Sequence, residues 1–255
     1  MKLLINTSTK KVHITKEYSK LNLSLYSKKA FNSLSNFWLE YIWNQKYTYR
    51  FTWLGFPIIQ LPDDIINIQE LIYKERPKYI VETGVAHGGS IIFYASLVKL
   101  LNLKKVIGIE KKIKKKNLTN LQKDPLKNYF KIMQGDSTSE EIVKKVKSII
   151  KKNKTLVILD SNHSSEHVYK ELVAYSNILQ KKSLIVATDG IVDFMQFAPR
   201  RLKYNKKGGP ILAIKKFLSE NKKFKQINPT NLFNESNVDQ NVTHWQNGWI
   251  RKIKN

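Results

Sequence analysis

Cysteine is absent from the 255 residues, which excludes disulfides, a thiolate metal site and a cysteine nucleophile. Acidic side chains are scarce: 20 Asp and Glu stand against 45 Lys and Arg, a formal charge of +25. Arginine is scarcer still, occurring only at Arg50, Arg76, Arg200, Arg201 and Arg251. No apolar run approaches the roughly 18 residues a membrane-spanning helix needs. The opening MKLLINTSTKK turns polar too soon for a signal peptide. Together these absences predict a cytoplasmic chain in a reducing compartment, with no transmembrane segment.

A charge of +25 ordinarily points to nucleic acid or an anionic membrane. Here the excess is almost all lysine, whereas nucleic-acid readers favour the planar fork of arginine. The lysines are spread along the chain and not interleaved with aromatics, so no stable nucleic-acid partner is expected. What the chain does hold is 42% hydrophobic and 11% aromatic residues, enough for a large packed core.

Residues 1–50 are polar and lysine-rich, and Phe37, Trp38, Tyr41 and Trp43 read as a core-facing stripe of one helix. A turn-rich WLGFPIIQLPDD follows. IINIQELIYKER then reads as an amphipathic helix capped by Asp63 or Asp64 and stopped by Pro77. Residues 1–64 are expected to form a helical N-terminal extension packing on the core, and 65–255 the main domain. From 79 the pattern alternates: strands at 79–83, 105–110, 130–136, 155–160 and 183–189, with helices near 89–101, 112–123, 138–152 and 164–180. Continuous apolar strands with intervening helices predict a doubly wound, mostly parallel α/β sheet. MQFAPRRLKYNKKGGP reads as a mobile loop, ILAIKKFLSEN as a helix, and FKQINP with WIRKI as a closing pair of strands.

The few acids are not scattered. Glu82, Glu110, Asp136, Asp160 and Asp189 each close a strand, at the sheet edge where open α/β folds bind ligands. ETGVAHGGS (82–90) follows the first parallel strand and opens a helix, so backbone amides can approach an anionic ligand end. Glu110 is placed to accept from ribose hydroxyls, and Gly135-Asp136-Ser137 lies where an adenine would sit. That trio is the layout of an S-adenosylmethionine (SAM) site, and the acidic Glu82 suits a cofactor carrying a cationic amino acid. Asp160 and Asp189 offer two hard oxygens for Mg2+ or a similar divalent cation; helix caps or loop anchors are the other reading. His163 and His167 are four apart, but the spacing lacks the Glu and third ligand of a zinc site. His163, three residues after Asp160, suits a general base. The run KKIKKK (111–116) reads as a solvated helix face. Arg200 and Arg201 suit a grip on a substrate phosphate or carboxylate.

Four blocks, WLGFPIIQLPDDIINIQELI, IVETGVAHGGSIIFYASL, VILDSNHSSEHVYKELVAYSNIL and IVATDGIVDFM, resemble the cephalosporin hydroxylase-like and rhamnosyl O-methyltransferase family. The likeness runs from about residue 50 to 200, with a thinner echo in GGPILAIKKFL and NGWIRK. It implies a Rossmann-type, SAM-dependent and often Mg2+-dependent O-methyltransferase. By position, Glu82, Gly84 and Ala86, His87, Gly88, Gly89 and Ser90 match the family's first cofactor loop, Glu110 its ribose-binding acid, and Gly135 to Ser137 its adenine-side turn. Asp160 matches a metal-binding aspartate beside the cofactor, and Asp189 a second one. Some members carry Glu-Asp where this chain has Thr188-Asp189, and catechol-type enzymes carry Asp-Asn where it has Asp189-Gly190. Asp193, Asn162 or the substrate would then complete the shell. His163 falls where catechol-type enzymes place a catalytic lysine, and His167 lies on the acceptor side. The implied acceptor is a sugar hydroxyl of a surface polysaccharide, lipopolysaccharide or glycolipid precursor. Two alternatives stand beside it: a nucleic-acid methyltransferase, and a degenerate member that binds cofactor without turnover. A hydroxylase would need two His and one carboxylate on iron, a pattern the chain lacks. A homo-oligomer is an open alternative to a monomer.

Overall fold

The computed structural model describes residues 2–16, 19–195, 198–200, 208–229 and 231–254. The chain opens with an antiparallel sheet of three strands, β1 (Lys2–Asn6), β2 (Lys11–Lys16) and β3 (Ser19–Ser24). Helix α1 (Lys28–Asn44) follows, its first turn closed by the Ser27 hydroxyl, which accepts from the Ala30 amide. A small hairpin, β4 (Thr52–Trp53) with β5 (Phe56–Pro57), leads into α2 (Pro62–Glu75).

The N-terminal sheet was not anticipated by the sequence reading, and of the expected aromatic stripe only Trp43 packs inward, half-buried against Leu39 and Ile42. Helix α1 buries Ala30, Leu39 and Ile42, whereas Phe37, Trp38 and Tyr41 are 41–52% exposed. Helical periodicity marks a face of like residues, but only a neighbouring element decides whether that face is covered. The start of α2 also differs: Pro62 takes the first helical position, where its missing N–H is not needed. Asp64 is fully buried and caps nothing in α2; it accepts from the Thr243 hydroxyl and the His244 amide.

From residue 79 the expected alternation holds. Five strands lie parallel in the order β8 (Phe130–Gln134), β7 (Lys105–Glu110), β6 (Tyr79–Thr83), β9 (Thr155–Leu159), β10 (Leu184–Ala187). β12 (Trp249–Lys252) adds antiparallel to β10, and β11 (Phe224–Gln226) antiparallel to β12, closing a seven-stranded sheet. Its connections are α3 (Gly89–Leu100), α4 (Lys115–Lys123), α5 (Glu140–Ile150), α6 (Ser165–Ser176) and α7 (Pro210–Glu220). The strands are buried on both faces. Ile80, Val106, Leu156 and Val186 pack under α2 and α3, while Val81, Ile107, Val157 and Ile185 pack under α5, α6 and α7. In α4, Leu121 is the buried side chain and the lysines face solvent; of the KKIKKK run only Lys115 and Lys116 lie in this helix, while Lys111, ahead of it, pairs with Asp136. Most of the segment read as a mobile loop falls outside the described residues.

The chain runs from β6 outward through β7 to β8, then returns to the other side of β6 for β9 and β10. Connections therefore leave the carboxyl ends of β6 and β9 in opposite directions, which opens a crevice between them. Gly84, just past β6, borders it with φ +88°, and a Cβ there would fall 2.2 Å from the Asp160 carbonyl oxygen. Only glycine permits so close a crossing.

Candidate functional site

The crevice is a cavity of about 450 Å³. Its cofactor side is lined by Gly84, Ala86, His87, Gly89, Ser90, Glu110, Gly135, Asp136, Ser137 and Asp160. Two residues assigned to this loop do not line it. Gly88 packs its backbone against Leu121. Glu82 is fully buried, where it accepts from the Ser90 hydroxyl at 2.8 Å and leaves Oε1 without a partner. Burial, aided by the charges of Asp160 and Glu110, holds the Glu82 carboxyl well above the usual range. Glu110 Oε2 accepts from the Val85 and Ala86 amides at 3.0 and 3.2 Å, tying the glycine loop to the end of β7. Asp136 accepts from the Thr138 hydroxyl and amide and pairs with Lys111 at 3.0 Å, so its carboxyl lies far below the usual range.

At the other end of the cavity, Asp160, His163 and Asp189 converge. One ligand atom of each lies within 4.8 Å of the others. His163 Nε2 is 3.2 Å from Asp189 Oδ2 and 4.0 Å from Asp160 Oδ1. Burial pushes both carboxyls up to about 7, with the Asp189 charge adding to the effect on Asp160. Burial also lowers the His163 imidazole, favouring its neutral form. Two ionised carboxylates this close oppose each other unless a cation lies between them, while the neutral imidazole beside them suits a proton acceptor. Two carboxylate oxygens suit a hard divalent cation that completes its shell with water or substrate oxygens. The donor set therefore fits Mg2+, and the glycine-lined half of the cavity, with its buried acid beneath, fits SAM.

Neighbours that the sequence reading missed hold this end in place. The Thr188 hydroxyl donates to Asp160 Oδ1 at 2.5 Å, and Gln60 Nε2 donates to Asp160 Oδ2 at 2.7 Å. Thr188, first noted as a missing acid, thus orients the acid that is present. Gln60 lies within the WLGFPIIQLPDD block, but no spacing rule links it to a residue a hundred positions away. His244 was also missed. It is 3% exposed, lies edge-on to Trp43 at 5.4 Å, and burial lowers its imidazole to about 4.

The acceptor-side assignments divide. Arg200 lines the cavity, its guanidinium 5.6 Å from both the Trp43 and Tyr49 rings and donating to the Trp43 carbonyl at 2.6 Å. Arg201 lies outside the described residues. Asn162 lines the cavity, and its Oδ1 accepts from the Ser164 amide. Asp193 does not complete the shell; its two oxygens accept from the Gly209 and Ile211 amides at 2.7 and 2.8 Å, closing the N-terminus of α7. His167 faces the cofactor half. Its Nε2 is 3.1 Å from the Ser161 hydroxyl and 3.4 Å from both the Ser137 hydroxyl and Glu171, whose carboxylate raises the imidazole. Ser137 itself donates to the buried Glu171 at 2.6 Å.

Comparisons with known proteins converge. The family model for Rhamnosyl O-methyltransferase/CmcI matches residues 45–253. A rhamnosyl O-methyltransferase of Mycobacterium leprae is 25% identical over 165 residues, 63% of this chain and 67% of its own length. One from Mycobacterium tuberculosis is 23% identical over 143 residues, covering 56% of this chain and 58% of its own. The matched part is thus between about half and two thirds of those relatives. Among solved structures, CmcI with Mg and SAM superposes with a TM-score of 0.52 at 16% identity, covering 80% of this chain and 77% of that one. An apo-structure of CmcI gives 0.53 at 16% identity, with 81% and 78% covered. At that identity the likeness is one of fold, the Rossmann-like sheet described above.

Proposed function

The chain belongs to the Rhamnosyl O-methyltransferase/CmcI family of SAM-dependent O-methyltransferases, and from that premise we propose that it methylates a sugar hydroxyl of a surface polysaccharide, lipopolysaccharide or glycolipid precursor in the cytoplasm. The observation that carries this reading is the convergence of Asp160, His163 and Asp189 at the acceptor end of a glycine-lined crevice. Relatives named as rhamnosyl O-methyltransferases support a sugar as the acceptor class.

When bound, SAM supplies an activated methyl group, and a divalent cation supplies the Lewis acidity that lowers a hydroxyl's pKa. The loop from Gly84 to Ser90 and the acid Glu110 would hold the donor, with the buried Glu82 beneath the loop bracing Ser90. Asp160 and Asp189 would hold the cation, with Asp160 oriented by Thr188 and Gln60. His163, neutral near pH 7, accepts the hydroxyl proton at Nε2. Arg200, braced by Trp43 and Tyr49, faces the incoming acceptor. Most of the acceleration comes from alignment of the acceptor oxygen with the methyl group, which rigid strand ends enforce. In this reading residues 1–64 form an extension whose α1 end supplies the outer wall of the cavity.

The test uses the purified full chain with isotopically labelled methyl donor and a bacterial lysate resolved into polysaccharide, glycolipid, nucleic-acid and protein fractions. Label should enter the polysaccharide or glycolipid fraction, disappear with a chelator and return with Mg2+. Label in RNA or DNA would overturn the sugar acceptor and favour a nucleic-acid methyltransferase.

A further inference from the structure

A second, larger groove of about 870 Å³ lies beside the catalytic cavity. Three short segments contribute to both. Glu40, Ile191 and Thr243 line the groove, while Trp43, Asp189 and His244 line the cavity. The edge-on contact of Trp43 with His244 stands between them.

The lining chemistry is unlike the rest of the molecule. In a chain with 45 Lys and Arg, no basic side chain lines this groove among the described residues. Its two acids are engaged: Asp239 pairs with Lys28 at 2.8 Å, and Glu40 accepts from the Ala198 amide at 2.6 Å. The polar lining is dominated by amides, eight Asn and Gln side chains in all, including Asn36, Gln240 and Gln246. Phe37 and Phe194 add rings that are 41% and 51% exposed. Trp245, fully buried, and Gln246 both line the groove, and Trp245 Nε1 and Gln246 Oε1 are buried without a hydrogen-bond partner in the protein. A buried donor and acceptor left unpaired in adjacent residues mark a place where an outside polar group completes the bonding.

We propose that this groove binds an uncharged oligosaccharide, the stretch of the acceptor glycan next to the sugar being methylated. Planar amides both donate and accept, which matches neighbouring sugar hydroxyls. Exposed rings cover the apolar C–H faces of a sugar. The absence of cations disfavours a phosphate-bearing polymer, which the lysine-rich surface would otherwise attract. The inference rests on the glycan-acceptor reading, and deepens it by separating where the acceptor is recognised from where it reacts.

The test is binding of the full chain, without donor or metal, to an array of uncharged oligosaccharides. Matched oligosaccharides carrying uronate or phosphate, and a set of peptides, serve as comparators. Uncharged sugars should bind. The double variant Phe37→Ala/Phe194→Ala, altered only at exposed rings, should bind ~10-fold more weakly with an unchanged melting temperature. Gln240→Ala provides a second, ring-independent variant and should weaken binding in the same direction. Asp160→Ala should bind the array as the wild type does while losing methyl transfer, so failure of the catalytic reading leaves a different signature from failure of the groove. Absence of uncharged-sugar binding, preference for peptides, or binding indifferent to the groove variants would overturn the proposal.

Discussion

The two cavities flanking the Trp43–His244 contact differ most in charge. The smaller one gathers Asp160, Asp189, Glu110 and Asp136 with Lys111 and Arg200, in a chain that has few acids to spend. The larger one, next to it, is lined mainly by amides and apolar side chains and shows no basic group among the described residues. Charge is concentrated where a proton and a methyl group must move, because buried charges stabilise reacting atoms far more than they do in water. In the groove the only acids lining it among the described residues, Asp239 and Glu40, are already engaged by Lys28 and by the Ala198 amide.

Breaking the charged cavity should therefore be far more damaging than eroding the neutral one. Asp160→Ala removes one of two carboxylates and the acceptor for both Thr188 and Gln60; methyl transfer should fall at least ~1000-fold while donor binding stays measurable by calorimetry. His163→Ala should lower kcat by ~100-fold or more and leave divalent-cation affinity within a few-fold. A loss of cation affinity as large as that of Asp160→Ala would instead make His163 a ligand.

The partition between the cavities carries a pH signature. His244 titrates near 4 when folded and near 6.5 when unfolded, so between those values the unfolded chain takes up a proton that the folded chain refuses. Its contribution to stability is complete above about pH 6.5 and lost as pH falls toward 4, on the order of 3 kcal/mol. Denaturation of wild type and His244→Leu between pH 4 and 7 should show a shallower slope in the variant; parallel slopes would remove His244 from the account. A smaller effect is expected from Thr188→Val, which keeps the shape but loses the bond to Asp160. Cation affinity should drop ~10-fold, read by metal titration, with the fold and donor affinity unchanged.

How much of this was legible in the sequence follows the same division. Strand-end acids stand out because continuous apolar strands announce a parallel sheet, and such a sheet has one functional edge. Asp160 and Asp189 could therefore be placed at that edge, with His163 three residues on, but spacing left helix caps or loop anchors open as the other reading of the two acids. Gln60 and Thr188 could not be placed, since an amide and a hydroxyl gain meaning only when sheet register brings them to Asp160. Asp193 was misread for a related reason: a carboxylate near the site is equally suited to closing a helix, and α7 begins two amides away. Three of the four aromatics in the α1 stripe, Phe37, Trp38 and Tyr41, lie exposed because periodicity cannot say what covers a face. The neutral groove left no signal, as its walls come from β1 to β3, α1 and the non-repetitive segment after residue 227.

The most direct measurement is a Mn2+ titration of the full chain followed by electron paramagnetic resonance, on wild type, Asp160→Ala and Asp189→Ala. The account predicts one tightly held ion per chain in the wild type and none in either variant. Equal occupancy in all three would place the cation elsewhere and contradict the assignment of these two strand ends as its site.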